Sequence, residues 1–183
     1  VSTLAKKNVT LDSGGTVALR YIAKGGAQAE VLLADALLHR VLSRCHELPG
    51  HRLFLWEDEA DEVHCVHSGD INAYLHDVCG GDFTSKDLRT WRASTLAVEH
   101  LLRADPGLDA EKTVRAAVQH AADGIRNRYA TCRKHYVHPL IIDTCLEEGV
   151  ASIAASMPKR TAKELTRPES LLLHLLRQSP AGR

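Results

Sequence analysis

The sequence has 183 residues, of which 44% are hydrophobic and 25% charged, and its basic and acidic residues balance to a net charge of zero. This is enough chain for one well-buried core, with or without a small lobe, and the composition is typical of a globular protein. No apolar run approaches the roughly 18 residues of a membrane helix, and no secretory leader is present, so we expect neither a membrane span nor secretion. Five cysteines without a CxxC spacing favour reduced thiols and a cytoplasmic location.

The net charge is zero, but the charged residues are unevenly distributed along the chain. Five carboxylates fall in one short stretch, at Glu57, Asp58, Glu59, Asp61 and Glu62. The rest of the chain holds 23 basic residues against 18 acidic ones, so neutrality leaves nucleic-acid binding open. His64 and His67 flank Cys65 but lack a second pair of ligands at zinc spacing, so we expect no metal site.

The first third of the chain predicts a small antiparallel sheet. Residues 8–12, 16–23 and 28–33 alternate between apolar and polar side chains, as strands with one buried face do. Paired glycines mark the turns between them, which places Lys24 at the tip of a two-stranded ribbon. Residues 52–56 predict one more short strand, which leads into the acidic stretch.

The remaining segments have the period of amphipathic helices. The predicted helices begin at Asp35, at Ser68 or Asp70, at Thr84 or Ser85, at Asp109, at Pro139 and at Pro168. In the second of them, the side chains expected to face inward are Ile71, Tyr74, Leu75 and Val78. Residues 124–133 show no clean period.

The order of these elements predicts the fold class. It is α+β, mostly helical with a small N-terminal antiparallel sheet. The expected organisation is a sheet-containing part over residues 1–66 followed by a helical part over residues 67–183.

One octapeptide, residues 132–139, reads Cys-Arg-Lys-His-Tyr-Val-His-Pro. It places Tyr136 among cationic side chains, with no acidic residue between Asp123 and Asp143. The nearby cations are Arg126, Arg128, Arg133 and Lys134. A phenol is protonated and weakly nucleophilic at neutral pH, whereas neighbouring cations favour the phenolate and attract phosphate, as covalent attack on a phosphodiester requires. The alternative interpretation is a basic helix end with a packed tyrosine.

Three segments together resemble one family. Residues 71–75 (Ile-Asn-Ala-Tyr-Leu) and 83–91 (Phe-Thr-Ser-Lys-Asp-Leu-Arg-Thr-Trp) resemble the central signature of type IB DNA topoisomerases of the bacterial and poxvirus branch. The tyrosine octapeptide resembles that family's nucleophile motif, and residues 21–26 resemble the ribbon turn that carries its active-site lysine. The resemblance runs from Leu4 to about Glu148 and implies the tyrosine recombinase and type IB topoisomerase catalytic core.

The resemblance implies a mechanism for four residues. Tyr136 would attack the scissile phosphate and become linked to the 3′ end of the cut strand. Lys24 would protonate the departing 5′ oxygen as general acid. Arg89 would donate to the non-bridging oxygens of the transition state, and Asn127 would hydrogen-bond a phosphate oxygen.

The same resemblance implies the partners of the chain. Duplex DNA is the expected substrate, with phosphate contacts from Lys86, Arg92, Arg128, Arg133 and Lys134. One phosphodiester is exchanged for another of similar energy, so no ATP and no obligatory metal are implied. The expected protein is a monomer of the bacterial nucleoid, without a membrane association.

The sequence departs from the family pattern at two places. The family's Gly-Asn-Thr-Pro-like turn reads Arg-Asn-Arg-Tyr at residues 126–129. A further catalytic arginine, upstream of the segment that matches residues 1–9, and the amino-terminal clamp domain have no counterpart in this chain. We therefore expect cleavage slowed by about 10²-fold or more and weak, salt-dependent DNA binding.

Two other functions remain as alternatives. A tyrosine recombinase shares the fold and nucleophile, but in that class a histidine usually stands three residues before the central arginine, where this chain has Lys86. The other alternative is a non-catalytic DNA-binding domain that has kept the fold.

Overall fold

A computed structural model describes residues 2–22, 26 and 28–179. The chain divides into two compact units, Val1–Ser85 and Lys86–Arg183. The predicted fold class is confirmed: the chain is α+β, mostly helical, with a small antiparallel sheet near the N-terminus. The helices of the described chain are too short or too polar to span a bilayer.

The sheet of the first unit has the predicted hairpin order. Strands β1 (Val9–Leu11), β2 (Thr16–Ile22) and β3 (Gln28–Ala34) are antiparallel neighbours in that order. The fully buried Val17 pairs with a leucine on each side, so the centre of the sheet is apolar. Asp12 closes the first turn by accepting from the backbone of residues 14 and 16, and the Thr16 bond is the main cause that lowers the pKa of its carboxyl.

Helix α1 (Ala36–Glu47) begins where the sequence predicts it, because the Asp35 carboxylate accepts from Leu38 N at 2.9 Å as an N-cap. Leu42 is the buried residue of this helix. It belongs to a small core whose buried members are Val9, Val17, Leu42 and Leu53. This core is what holds α1 and the sheet together as one unit.

The acidic stretch forms a second hairpin. Strands β4 (Leu55–Glu57) and β5 (Val63–Cys65) pair antiparallel. The predicted strand over residues 52–56 is therefore displaced, and β5 was not predicted. The Asp58 carboxylate accepts from Ala60 N and Glu62 N, both at 2.9 Å, so this carboxylate organises the turn instead of only repelling its neighbours.

His64 lies beside that turn. Its Nε2 is 2.7 Å from Asp58 Oδ2, and this bond is the main cause that holds the pKa of the Asp58 carboxyl below its usual range. Asp58, Glu62 and His64 each offer one ligand atom within 4.8 Å of the others. The imidazole nitrogen already has a carboxylate partner, and Glu62 is exposed. The absence of a metal site stays a prediction.

Helix α2 (Ser68–Cys79) ends at Gly80, which has a φ of 67°. This is the left-handed C-terminal glycine that the sequence predicts. The predicted inward face is wrong for two residues: Tyr74 is 65% exposed and Val78 is 63% exposed. The helix has no buried residue, so its apolar spacing does not correspond to a core contact within this unit.

The second unit is helical in its described part. Its helices are α3 (Ser85–Arg103), α4 (Ala110–Gly124), α5 (Tyr129–His135), α6 (Pro139–Glu148), α7 (Val150–Ala155) and α8 (Arg167–Gln178). Each of them contributes buried side chains to one apolar core. Helices α5 and α7 were not predicted, because seven and six residues are too few to show a helical period.

The N-terminus of α8 is held by a capping box. The Thr166 hydroxyl donates to Glu169 Oε2 at 2.7 Å, and Thr166 N donates to the same oxygen at 2.9 Å. Trp91 Nε1 of α3 donates to Glu169 Oε1 at 3.3 Å. These donors, the Thr166 hydroxyl first, lower the pKa of the Glu169 carboxyl. One ionised carboxylate therefore caps α8 and ties it to α3.

This cap predicts an acid-sensitive contribution to stability. Because the pKa of Glu169 is lower in the folded chain, the carboxylate stabilises the fold above its ordinary value of 4.5 and loses that effect as pH falls through the depressed value. Urea unfolding should show Glu169→Gln to be less stable than the parent at about pH 7, and this difference in the free energy of unfolding should narrow as pH falls below 4.5. A difference of constant size would contradict the assignment.

Candidate active site

Arg89 lies on the second turn of α3, within reach of two segments that are distant in sequence. Its Nη2 donates to Ile125 O at 3.0 Å. Its Cζ lies 5.2 Å from the centroid of the Tyr136 ring. The structure thus brings the predicted transition-state cation and the predicted nucleophile into direct contact, in a geometry that a guanidinium and an aromatic face favour.

Tyr136 is the C-cap residue of α5. The carbonyl of Cys132 accepts from both Tyr136 N, at 2.9 Å, and Val137 N, at 3.0 Å. Cys132 is itself fully buried, which anchors this short helix in the core although its sequence has no clear period. Tyr136 is half-buried, and its ring packs against the edge of that core.

Ser94 holds the backbone on both sides of the tyrosine. Its hydroxyl donates to Tyr136 O at 3.2 Å and accepts from His138 N at 3.0 Å. Ser94 is 2% exposed and lies in the middle of the buried face of α3. Sequence reasoning missed this residue; the available signal was a serine inside the otherwise apolar face of a long helix.

The turn between α4 and α5 supplies the carbonyl that Arg89 contacts. Helix α4 ends at Gly124, which lies against the side chain of Leu96 on α3, so a larger residue at this position would force that side chain to move. Ile125 follows directly and is buried. The close approach at Gly124 therefore positions the Ile125 carbonyl.

Residues 126–128 form the turn in which this sequence departs from the family pattern. Arg126 has a φ of 53°, in the left-handed region where glycine is favoured. Asn127 N then donates to Ala122 O at 2.8 Å. Asn127 Oδ1 accepts from Arg128 N at 2.8 Å, so in this structure the oxygen of its amide faces its own backbone. Arg126 therefore adopts a backbone conformation that glycine would adopt at lower cost.

The remaining predicted phosphate contacts are exposed cations. Lys86 and Arg92 lie one turn before and one turn after Arg89 on α3, and both are exposed. The other three, Arg128, Arg133 and Lys134, are exposed at the start and along the length of α5. Arg133 differs from the others because its Nη1 donates to the Tyr129 hydroxyl at 3.3 Å.

Comparison with known proteins identifies the family. Residues 1–144 match the family described as "Eukaryotic DNA topoisomerase I, catalytic core". The chain belongs to this family. A curated protein of Acanthamoeba polyphaga mimivirus, "DNA topoisomerase 1B", is 29% identical over 106 residues, which cover 56% of this chain and 31% of that protein. The chain thus spans about a third of the length of this relative.

The matched region of the topoisomerase family contains the Arg89–Tyr136 pair and ends inside α6. Helices α7 and α8 lie beyond it. Lys24, the predicted general acid, lies outside the residues that the structure describes, so its role stays a prediction.

Cys132 is not a competing nucleophile. Burial raises the pKa of its thiol, and the positive charge of Arg89 opposes part of that rise. A buried thiol with a raised pKa is a poor nucleophile. The residue acts through its position in the core and its backbone carbonyl.

Removal of the Ser94 hydroxyl is expected to destabilise the topoisomerase fold. Ser94→Ala leaves the Tyr136 carbonyl and the His138 N–H without their shared partner inside the protein, which should lower the free energy of unfolding by about 1–3 kcal/mol. Urea denaturation measures the change. The matched control is Ser156→Ala, whose hydroxyl makes a single local bond to Ser152 O. Equal losses for the two variants would contradict the special position of Ser94.

Proposed function

We propose that this chain is a catalytic domain that cuts and rejoins one strand of duplex DNA through a covalent bond to Tyr136. The observation that supports this most strongly is the Arg89 guanidinium lying 5.2 Å from the Tyr136 ring centroid, within a chain of the topoisomerase I catalytic-core family. A nucleophile and a phosphate-binding cation in contact are the minimum that phosphoryl transfer needs.

The proposed reaction conserves the phosphodiester. The Tyr136 oxygen forms a bond to the scissile phosphorus and its proton passes to solvent. The bond from phosphorus to the 5′ oxygen breaks, and that oxygen takes a proton from a general acid, for which we propose Lys24. Rejoining reverses the steps, so the strand regains its original bond after torsion has been released. Neither ATP nor a metal ion is part of the proposal.

Arg89 acts on the transition state in this scheme. One of its N–H groups is bonded to Ile125 O, and its other N–H groups can donate to two non-bridging phosphate oxygens as charge accumulates there. Asn127 would add a donor through its amide nitrogen, because its amide oxygen is turned to the backbone of Arg128.

The proposed substrate is the duplex backbone. The phosphate contacts are expected from the exposed cations Lys86, Arg92, Arg128, Arg133 and Lys134. Such contacts make affinity fall steeply with salt. We further propose that the protein acts as a monomer in the bacterial nucleoid.

A plasmid assay tests the proposal. Supercoiled plasmid is incubated with the protein in EDTA, and the reaction is stopped with denaturant to trap a covalent adduct. Relaxation together with an adduct at Tyr136 is the expected result. Retention of plasmid on a gel without any adduct would instead favour a DNA-binding domain that has lost catalysis. The left-handed Arg126 in the turn next to Asn127 is the observation that favours this second candidate.

A further inference from the structure

A groove between α3 and the N-terminal end of α8 carries a concentration of guanidinium groups. Its cavity has a volume of about 430 Å³, and Arg92, Arg103 and Arg167 line it together with Thr95 and Thr166. All three arginines are exposed. The groove lies outside the Arg89–Tyr136 pair, and the α8 side of it lies outside the residues that match the family.

The charge of this groove is only partly compensated. Arg103 Nη2 pairs with Glu99 Oε1 at 2.7 Å, on the same helix. Arg92 and Arg167 make no ion pair within 4.0 Å to any acidic residue in the described part of the chain. Glu169 is the acidic residue of α8. The donors of the capping box contact its carboxylate, and the charge of Arg92 helps to lower the pKa of this group without forming an ion pair. Arg167 is therefore available to an anion, and Glu169 neutralises Arg92 only in part.

The segment that leads into α8 continues the same charge. Three exposed cations, Lys159, Arg160 and Lys163, precede Arg167 there, with Glu164 as the acidic residue among them. Guanidiniums bind phosphate through two parallel N–H bonds, so a groove that presents several of them fits a phosphodiester better than it fits a neutral or cationic group.

The spacing along α3 relates the groove to the candidate active site. Arg92 is one helical turn beyond Arg89, and Arg103 is 14 positions beyond it, about 21 Å along the helix axis. One strand of a duplex advances by about 3.4 Å per phosphate. Arg103, at the far end of α3, would therefore reach phosphates several nucleotides away from the phosphate that Arg89 would hold.

We propose that Arg92, Arg103 and Arg167 form a second phosphate-binding site, which holds the backbone of duplex DNA several nucleotides from the scissile phosphate. This inference rests on the proposed function and extends it to α8, which the matched region does not include. In this arrangement the site adds affinity independent of base sequence and leaves the chemistry at Tyr136 unchanged.

A salt titration of DNA binding tests the site. The full chain carrying Tyr136→Phe, which cannot form the adduct, is titrated with a fluorescent duplex between about 50 and 200 mM salt. Adding Arg167→Gln should weaken binding by about tenfold at low salt and reduce the slope of log affinity against log salt by about 1. Arg167→Lys should retain most of the slope, because it keeps the charge.

Arg177→Gln is the matched control. Arg177 is an exposed arginine at the other end of α8, and its substitution removes the same charge as Arg167→Gln does. It should leave the slope unchanged. If Arg167→Gln and Arg177→Gln behave alike, the second site is wrong while the proposed function stands. If the parent chain does not bind duplex DNA at all, the proposed function fails, and this inference fails with it. Circular dichroism of each variant excludes unfolding as the cause of any loss.

Discussion

Replacement of Tyr136 by phenylalanine is expected to abolish both the covalent DNA adduct and plasmid relaxation. The change removes the one oxygen that would bond to phosphorus and keeps the ring that Arg89 contacts at 5.2 Å from its centroid. Noncovalent DNA binding should therefore be retained. Denaturing gels of the trapped reaction measure the adduct, and a gel shift measures binding.

Tyr129→Phe is the matched control for this prediction. Tyr129 lies at the start of the same helix, and its hydroxyl contacts Arg133 instead of the Arg89 pair. Its loss should leave the adduct in place. An adduct that survives Tyr136→Phe, or one that disappears with Tyr129→Phe alone, would show that Tyr136 is not the nucleophile.

Replacement of Arg89 is expected to have the second largest effect. Arg89→Ala removes the donor that we propose for the scissile phosphate and should slow strand cleavage by about 10²- to 10³-fold, as loss of one transition-state donor does elsewhere. Arg89→Lys should recover only part of this rate, because an ammonium keeps the charge but lacks the planar fork that contacts two oxygens. Single-turnover cleavage at saturating DNA measures the chemical step separately from binding.

Two observations would contradict this role. Cleavage by Arg89→Ala at the parental rate would exclude Arg89 from the transition state. A loss of cleavage equal to the loss of folded protein would show that Arg89 acts by stabilising the fold, through its bond to Ile125 O. Arg177→Ala, on the exposed end of α8, controls for the general effect of removing one positive charge.

The main elements of the fold could be predicted from local sequence signals. The first hairpin turn, the Asp35 and Asp109 caps, Pro139 at a helix start and Gly80 at a helix end all act through interactions within a few residues. Such signals do not depend on the rest of the molecule, and the corresponding boundaries agree with the structure.

The short elements could not be predicted, because tertiary contacts create them. Helix α5 exists because Cys132 is drawn into the core, and β5 exists because the Asp58 carboxylate closes the turn before it. The expected inward positions of Tyr74 and Val78 were wrong for a related reason: apolar spacing shows which residues share a helix face and gives no information on whether anything covers that face.

The sequence predicts residues of the candidate site but gives no information on their geometry. Arg89 and Tyr136 come from two separate motifs, and their proximity comes from tertiary contacts between α3 and the C-terminal end of α5, which no periodicity reveals. Ser94 was missed because its role is to bond with backbone atoms of residues 136 and 138, which the sequence does not show as neighbours.

Helix α3 carries both Arg89 and Ser94, five positions apart. One helix therefore holds both the guanidinium and the hydroxyl that bonds to the backbone around Tyr136. We therefore expect motion of the neighbouring loops to change the distance between the Arg89 guanidinium and the Tyr136 ring only slightly. In the proposed reaction, duplex DNA would meet two groups that are already aligned by the folded chain. The entropy cost of bringing the two groups together is then part of folding, and it does not recur when DNA binds.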